Sequence, residues 1–247
     1  MKVVGLIPAR LQSSRLPEKL LLSQTGKPLI QYVWETATAS SCLNEVIVAT
    51  DSQRIADTVA AFGGRAEMTA EHPSGTDRIA EVVQRCCQDA DVLVNLQGDE
   101  PELEPGTIQA LVNTIRDSGD PMATVAAPIG DSAVVESPDC VKVVVDDNNR
   151  AMYFSRSPIP FYRDGNVADV IAAQQSWHLH VGLYAYRRDF LLRLTQMSPS
   201  SLEQLEKLEQ LRALQSGANI SVATVQDACV GIDTAEDYAA FVARQSA

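Results

Sequence analysis

Long apolar runs and zinc-type cysteine spacings are absent from this chain of 247 residues, and aromatic residues are few. No apolar run approaches 18 residues, and the amino terminus leads directly into a predicted strand, so we expect neither a transmembrane helix nor a signal peptide and place the protein in the cytoplasm. The five cysteines show no Cys-x-x-Cys or Cys/His spacing, which argues against a zinc site. With 5% aromatic residues, the core should consist mainly of Val, Ile, Leu and Ala.

Positive charge is also in short supply, with 20 Lys and Arg against 32 Asp and Glu and a formal net charge of −12. This balance argues against a general nucleic-acid binder, whose contact surface would be basic. The chain contains neither a Walker P-loop nor a Rossmann glycine fingerprint. A phosphate-bearing substrate would therefore depend on local Arg and Lys side chains or on metal ions.

One short segment concentrates cations despite this balance. Arg10, Arg15 and Lys19 lie within ten residues, directly after the apolar run Val3–Ile7, which reads as a buried strand, and a proline restricts the backbone at each end. A rigid cationic loop at the carboxyl end of a first strand is where open α/β sheets bind nucleotides. We interpret residues 10–19 as a triphosphate-binding loop; the alternative is an ordinary solvated basic loop.

Alternating strands and helices predict the fold class, an α/β fold with a mostly parallel central sheet and helices on both faces. The predicted strands of this part are 3–7, 45–50, 65–68 and 91–96, and the predicted helices are 29–38, 52–62 (capped by Asp51), 79–86 and 105–117. A smaller, part-antiparallel insertion follows, with strands at 122–129, 140–146, 151–155 and 180–187 and an irregular stretch at 157–177. Helices at 189–196 and 203–216, a strand at 220–225 and a closing helix to about 244 complete one domain over 1–247, whose part 122–187 is sheet-rich.

Two carboxylates follow predicted strands and are candidate metal ligands. Asp99 comes after the strand that ends near residue 96, and Asp233 comes after the last strand. Such carboxylates commonly bind Mg²⁺, which prefers oxygen ligands and bridges to phosphates. If both face the cationic loop, Mg²⁺ and the loop cations would together neutralise a triphosphate. The alternative is that each residue caps the following helix.

Several other segments carry polar groups with two interpretations each. Ser74 and Gly75 could contact a base edge or form a plain helix cap, and Arg156 could clamp a carboxylate or serve a dimer contact. His178 and His180 lie one strand period apart, and we favour a substrate hydrogen-bond donor over a metal pair. The remaining polar residues are assigned mostly to a solvated helix face: Glu203, Glu206, Glu209 and Gln210.

The motifs taken together resemble the 3-deoxy-manno-octulosonate cytidylyltransferase, or CMP-Kdo synthetase, family over nearly the whole chain. The matching segments are Ile7-Pro8-Ala9-Arg10, Ser14-Arg15-Leu16-Pro17 with Lys19, Gly26-Lys27-Pro28, Val48-Ala49-Thr50-Asp51, Ser74-Gly75-Thr76-Asp77-Arg78, Gln97-Gly98-Asp99-Glu100-Pro101, Tyr153-Phe154-Ser155-Arg156, His180-Val181-Gly182-Leu183-Tyr184, Leu205 to Arg212 and Gly231-Ile232-Asp233-Thr234. The resemblance implies a Rossmann-like nucleotidyltransferase fold. It also implies a homodimer that converts CTP and Kdo to CMP-Kdo and pyrophosphate for lipopolysaccharide biosynthesis.

The resemblance also implies a role for each matching residue. It makes Lys19, Arg10 and Asp99 catalytic, and it makes Asp99 and Asp233 ligands of Mg²⁺. It assigns the phosphates of CTP to Arg10, Arg15 and Lys19 and places Ser74 and Gly75 at the cytosine. Pro8 and Ala9 are also expected to be substrate-binding residues. The resemblance assigns the sugar-acid pocket to a further set of residues: Gln97, Arg156, His180, Tyr184, Glu209 and Gln210.

Three residues depart from the family pattern: Leu11, Glu18 and Leu20 stand where an aromatic residue, a glycine and a proline are expected. Glu18 adds a negative charge beside Lys19. The acceptor also stays open between Kdo, an 8-amino analogue and another acid sugar such as sialic acid, although a sialic acid enzyme should lose the Arg156 and His180 segments. Two further alternatives are less favoured. A metal-dependent glycosyltransferase should have an Asp-x-Asp motif at the strand end, where this chain has Asp99-Glu100-Pro101-Glu102. A nucleotide-binding regulator without activity would not be expected to retain Arg10, Lys19, Asp99 and Asp233 together.

Overall fold

The computed structural model describes residues 1–13, 15–172, 177–229 and 231–246. Ser14 of the cationic loop and part of the predicted irregular stretch 157–177 therefore lie outside the described residues. The chain forms two compact units, of which unit 1 comprises Met1–Gln109 with Cys229–Ala247 and unit 2 comprises Ala110–Ala228. The single domain expected over 1–247 stays a prediction.

The described strands and helices follow the alternation expected from the sequence. The strands are β1 (Val3–Ala9), β2 (Glu45–Thr50), β3 (Arg65–Met68), β4 (Val92–Asn95), β5 (Met122–Pro128), β6 (Lys142–Val145), β7 (Ala151–Ser155), β8 (His178–Arg187) and β9 (Ile220–Thr224). The helices are α1 (Leu29–Ala39), α2 (Gln53–Ala61), α3 (Gly75–Cys86), α4 (Pro105–Ser118), α5 (Ser132–Glu136), α6 (Val167–Ala172), α7 (Arg188–Leu194), α8 (Ser201–Glu206), α9 (Gln210–Gln215) and α10 (Ala235–Gln245). Within the described residues, none of these helices combines the length and apolar character needed to cross a membrane.

The sheet of unit 1 is parallel and has the order β3-β2-β1-β4. β1 is almost wholly buried, as expected for a continuous Val, Leu and Ile run covered on both faces. Because β1 pairs with β2 on one side and with β4 on the other, the strand order reverses at β1. The carboxyl ends of β1 and β4 therefore flank the crevice where open α/β sheets bind ligands.

One predicted helix cap in unit 1 is wrong. Asp51 was expected to cap the helix after β2, but α2 begins at Gln53 and has Ser52 as its N-cap residue. The Asp51 carboxylate instead accepts a hydrogen bond of 2.7 Å from Arg78 Nη2. Arg78 is only 3% exposed. Leaving a buried guanidinium without a counterion costs more free energy than leaving a helix end without a side-chain cap.

Unit 2 contains a mixed sheet, which confirms the part-antiparallel insertion. β5 pairs antiparallel with β8 and parallel with β9, and β6 pairs antiparallel with β7 and β8. The predicted strand at 151–155 matches β7, whereas the strand predicted at 140–146 is shorter at both ends. The short helix α6 occupies part of the stretch predicted to be irregular.

The single helix predicted over 203–216 is two short helices. α8 ends at Glu206, Lys207 takes a left-handed conformation with φ of 56°, and α9 begins at Gln210. A left-handed residue cannot continue a right-handed helix, so the helix is interrupted at Lys207. The helical spacing of apolar residues nevertheless continues across 203–216.

Candidate active site

The cationic loop leaves the carboxyl end of β1 as the sequence predicted. Arg10 is exposed and pairs with no carboxylate among the described residues. A cleft of about 500 Å³ lies against the loop. Its lining residues are Arg10, Leu11, Gln12, Ser13, Pro17 and Glu18. Arg10 therefore offers an uncompensated positive charge to an anion entering this cleft.

Lys19 connects the two carboxylates that follow strands. Its Nζ donates to Asp99 Oδ2 at 2.5 Å and to Asp233 Oδ1 at 3.0 Å, and also to the carbonyl oxygen of Ile232 at 3.0 Å. The Lys19 side chain is 14% exposed, so these contacts are partly shielded from water. The fold thus brings Asp99 and Asp233 to the cationic loop, although 133 residues separate them along the chain.

Arg15 completes this charged cluster. Its Nη2 lies 2.9 Å from Asp233 Oδ2, so each carboxylate oxygen of Asp233 contacts a cation. Burial lowers the pKa of Lys19, but the charges and hydrogen bonds of Asp99 and Asp233 outweigh burial, and the pKa is raised overall. Lys19 is therefore a protonated ammonium group, and the cluster pairs two cations with two carboxylates.

The helix-cap alternative for Asp233 is wrong. Thr234 caps α10, and its side chain accepts from Asp237 N in a capping box that Asp237 completes. Asp237 Oδ2 also accepts from the backbone N–H of Asp233. The carboxylate of Asp233 is therefore left for Lys19 and Arg15.

Glu100 is a buried acid at this site that the sequence analysis did not single out. It is 8% exposed, and its Oε2 has no hydrogen-bond partner among the described residues. Burial, with a smaller contribution from the charge of Asp99, raises the pKa of Glu100 to about 8. Its place in the Gln97 to Pro101 turn was the only signal in the sequence.

The donor set at Lys19 fits a divalent cation with a preference for oxygen. The described residues contain no cluster of three His, Cys, Asp or Glu that could hold a metal by itself. Asp99 and Asp233 nevertheless present one carboxylate oxygen each to a single cationic atom, Lys19 Nζ. Two carboxylates, with waters and phosphate oxygens as the other ligands, are the usual protein contribution to a Mg²⁺ site.

The segment predicted to contact a base edge lies next to β1. Ser74 caps α3 by accepting from Asp77 N, so the helix-cap interpretation of Ser74 is correct. A Cβ added at Gly75 would lie 3.2 Å from Pro8 Cγ, which explains why a residue without a side chain stands there. Pro8 and Gly75 are therefore in close contact, and the next residue in β1, Ala9, is buried.

Arg78 fixes the loop that precedes α3. Its Nη1 donates to Thr69 Oγ1 at 2.7 Å, and its Nη2 donates to Asp51 Oδ2 at 2.7 Å. Arg78 thereby joins the ends of β2 and β3 to the first turn of α3. Gln97, which lies after β4, accepts from Glu100 N through its carbonyl oxygen.

In unit 2, the guanidinium of Arg156 is held by backbone carbonyl groups. Its Nε donates to Glu206 O and its Nη1 donates to Pro138 O, both at 2.9 Å, while its backbone N–H donates to Glu206 Oε2 at 3.0 Å. The buried Lys142 donates to Arg156 O at 2.6 Å. Since the guanidinium contacts carbonyl oxygens and no carboxylate among the described residues, its charge is available to an acidic ligand.

His180 is buried and neutral, because burial lowers its pKa to about 3. Thr124 Oγ1 lies 2.8 Å from Leu183 O and 2.9 Å from His180 Nε2. Thr124 Oγ1 also lies 3.4 Å from Val181 O, and the direction of its hydrogen bond with His180 depends on the tautomer of the ring. The hydrogen-bond donor role expected for His180 toward a substrate stays a prediction. The Tyr184 ring stacks beside His180, with centroids 5.4 Å apart.

The acids assigned to a solvated helix face have more specific positions. Glu203 is buried and forms an ion pair with Arg212, and Glu206 binds Ser155 Oγ at 2.6 Å. Gln210 is 3% exposed, and its Nε2 has no partner among the described residues. Of the four residues assigned to that face, only Glu209 is exposed. The assignment to a solvated face was therefore wrong for Glu203 and Gln210.

Comparison with known proteins identifies the family. A family model described as "Cytidylyltransferase" matches residues 4–220. A 3-deoxy-manno-octulosonate cytidylyltransferase of Rhodopirellula baltica is 48% identical over 247 residues, covering 99% of this chain and 98% of the relative. The protein of the same name from Syntrophobacter fumaroxidans is 49% identical over 245 residues, covering 98% and 96%.

Solved structures agree with the sequence relatives. The structure of a CMP:2-keto-3-deoxy-manno-octonic acid synthetase complexed with CTP superposes with a TM-score of 0.92 at 44% identity, covering 100% of this chain and 99% of that one. A cytidylyltransferase from Leptospira borgpetersenii shares the fold alone, with a TM-score of 0.64 at 16% identity, covering 100% and 87%. This chain belongs to the 3-deoxy-manno-octulosonate cytidylyltransferase family.

Proposed function

We propose that this protein transfers the cytidylyl group of CTP to 3-deoxy-manno-octulosonate and releases pyrophosphate in a Mg²⁺-dependent reaction. The observation that carries the proposal is the charged cluster of Arg15, Lys19, Asp99 and Asp233 at the carboxyl ends of β1 and β4. Relatives named for this activity are 44–49% identical over nearly the whole chain, which supports the same substrates here.

Unit 1 carries the groups for CTP. Arg10 and Arg15 bind phosphate oxygens, and Asp99 and Asp233 are the residues that would hold Mg²⁺. Bound there, Mg²⁺ supplies neutralisation of phosphate charge and acidifies a coordinated hydroxyl. Gly75, which packs against Pro8, and its neighbour Ser74, whose hydroxyl caps α3, would contact the cytosine edge through their backbone groups.

The reaction exchanges one phosphorus–oxygen bond for another. The C2 hydroxyl oxygen of the sugar acid attacks the α-phosphorus, the bond from that phosphorus to the α,β-bridging oxygen breaks, and the hydroxyl proton is lost to solvent. Negative charge grows on the departing pyrophosphate. The ammonium of Lys19 stabilises that charge, and such a preorganised cation contributes more to the transition state than to binding.

Unit 2 carries the groups for the sugar acid. The guanidinium of Arg156, which donates to two backbone carbonyl oxygens among the described residues, binds the substrate carboxylate. His180 forms a hydrogen bond with a sugar hydroxyl. The other residues proposed for the sugar acid are Tyr184, Glu209 and Gln210 of unit 2, together with Gln97 of unit 1. The proposal includes a cytoplasmic homodimer, for which a sedimentation experiment at enzyme concentrations used in assays is the direct measurement.

A pyrophosphate-release assay tests the proposed function. The four nucleoside triphosphates are screened with Kdo, its 8-amino analogue and sialic acid, with and without Mg²⁺. We expect release only with CTP, Kdo and Mg²⁺, and we expect Asp99→Asn to lower turnover by about a hundredfold or more. Release that survives exhaustive chelation would remove Mg²⁺ from the proposal, and release with sialic acid alone would change the acceptor.

A further inference from the structure

The two cations of the charged cluster contact its two carboxylates. Lys19 Nζ contacts Asp99 and Asp233, and Arg15 contacts the second oxygen of Asp233. The four side chains carry two positive and two negative charges. In this arrangement the groups proposed to bind phosphate neutralise the groups proposed to bind metal.

A metal ion arriving alone would disturb this balance. Binding to Asp99 and Asp233 requires Lys19 to leave both carboxylates, and the Lys19 side chain is only 14% exposed. A partly buried ammonium without a counterion is costly. Lys19 therefore competes with the metal for the same two oxygens.

A triphosphate arriving alone meets the opposite difficulty. Drawing Arg15 and Lys19 onto phosphate oxygens leaves Asp99 and Asp233 unpaired, and both carboxylates then face the negative charge of the triphosphate. When metal and triphosphate arrive together, the metal takes the carboxylates and the phosphates take the cations. Every charged group then keeps a partner of opposite sign.

We propose that Lys19 and Arg15 are resident counterions of Asp99 and Asp233, and that they make the site selective for a metal-bound nucleoside triphosphate over either component alone. This inference rests on the proposed function, because it takes the two carboxylates as the metal ligands. It assigns Lys19 a specificity role in addition to its contact with the departing pyrophosphate. The expected signature is positive coupling between metal and CTP that depends on Lys19.

Manganese binding without nucleotide tests the inference on the full chain. Calorimetry compares the wild type with Lys19→Met, which keeps side-chain length and removes the charge, and with Arg15→Gln. We expect Lys19→Met to bind Mn²⁺ about tenfold tighter than the wild type, within the usual range of site coupling, and Arg15→Gln to show a smaller gain. Lys27→Met is the matched control. Lys27 pairs with Glu35 and forms no ion pair with Asp99 or Asp233 among the described residues, so its loss should leave Mn²⁺ affinity unchanged.

CTP binding without sugar acid gives the second measurement. For each protein we compare the affinity for CTP with Mn²⁺ to the affinity for CTP without it. This ratio should be larger in the wild type than in Lys19→Met. The affinity of CTP for Mn²⁺ in solution is the same for both proteins, so it cancels when the two ratios are compared. In the absence of metal, Lys19→Met should have a lower melting temperature than the wild type. Adding Mn²⁺ should restore its melting temperature. Suppose that the wild type and Lys19→Met bind Mn²⁺ with equal affinity and that Asp99→Asn abolishes this binding. That result would overturn the competition between Lys19 and the metal, and it would leave the proposed function standing. No Mn²⁺ binding by any variant, with or without CTP, would overturn both.

Discussion

Glu18 shows how a single residue that departs from the family pattern is accommodated. Its backbone is left-handed, with φ of 54° and ψ of 27°, which favours the glycine expected at this position. Its carboxylate accepts from Arg54 Nη1 at 2.5 Å and Nη2 at 2.8 Å, and the hydrogen bond from Arg54 lowers the pKa of Glu18. The negative charge that Glu18 adds beside Lys19 is therefore paired with the guanidinium of Arg54.

Replacing Glu18 separates backbone strain from the ion pair. Arg54→Ala removes only the pair, which is largely exposed and should matter little. Glu18→Gly removes the pair and also the left-handed strain, so we expect it to melt about 2–4 °C above Arg54→Ala, with turnover within a few-fold of the wild type. Calorimetric melting and steady-state turnover of both variants provide the measurement. Equal melting temperatures would show that the left-handed backbone costs nothing here.

The end of helix α8 and the end of strand β7 together hold the side chain of Arg156. The Glu206 carboxylate at the end of α8 accepts from Ser155 Oγ and from Arg156 N, and the Glu206 carbonyl accepts from Arg156 Nε. The left-handed Lys207 ends the helix at this point. An uninterrupted helix over 203–216 would not have a free carbonyl at Glu206, so the break is what allows the contact with Arg156.

Changing Glu206 tests this support. Glu206→Gln cannot accept from both Ser155 and Arg156 in the same way, so we expect the Michaelis constant for the sugar acid to rise on the order of tenfold while that for CTP stays unchanged. Arg156→Ala should give the same selectivity with a larger effect. Initial rates with each substrate varied in turn are the measurement.

The exposed Gln204→Ala on the same helix serves as the control, because the hydrogen bond of the Gln204 side chain among the described residues goes to Pro199 O and not to Ser155 or Arg156. It should leave both Michaelis constants at their wild-type values. A Glu206→Gln variant that melts lower yet keeps its Michaelis constant for the sugar acid would mean that Glu206 supports the fold and does not position Arg156.

At the scale of the whole molecule, the sequence predicted what periodicity and apolar runs control. The continuous apolar runs of β1 and β4 and the strand-end positions of Asp99 and Asp233 were readable from the chain. Side-chain partners were not readable. Asp51 binds Arg78 instead of capping α2, because the choice depends on a buried residue 27 positions away. The helix break at Lys207 was not predicted either, because the apolar pattern continues through it.

Stability against acid is a property of the whole molecule to which His180 contributes. Its pKa is about 3 in the folded protein because of burial, whereas an unfolded chain has an ordinary His pKa near 6.5, so between these values only the unfolded chain takes up the proton. Stability is therefore lost as pH falls below about 6.5, and His180 alone accounts for about 2 kcal/mol between pH 7 and pH 5. Urea unfolding at both pH values should show a smaller loss for His180→Gln than for the wild type, by about that amount. Equal losses in the two proteins would mean that His180 can be protonated in the folded state.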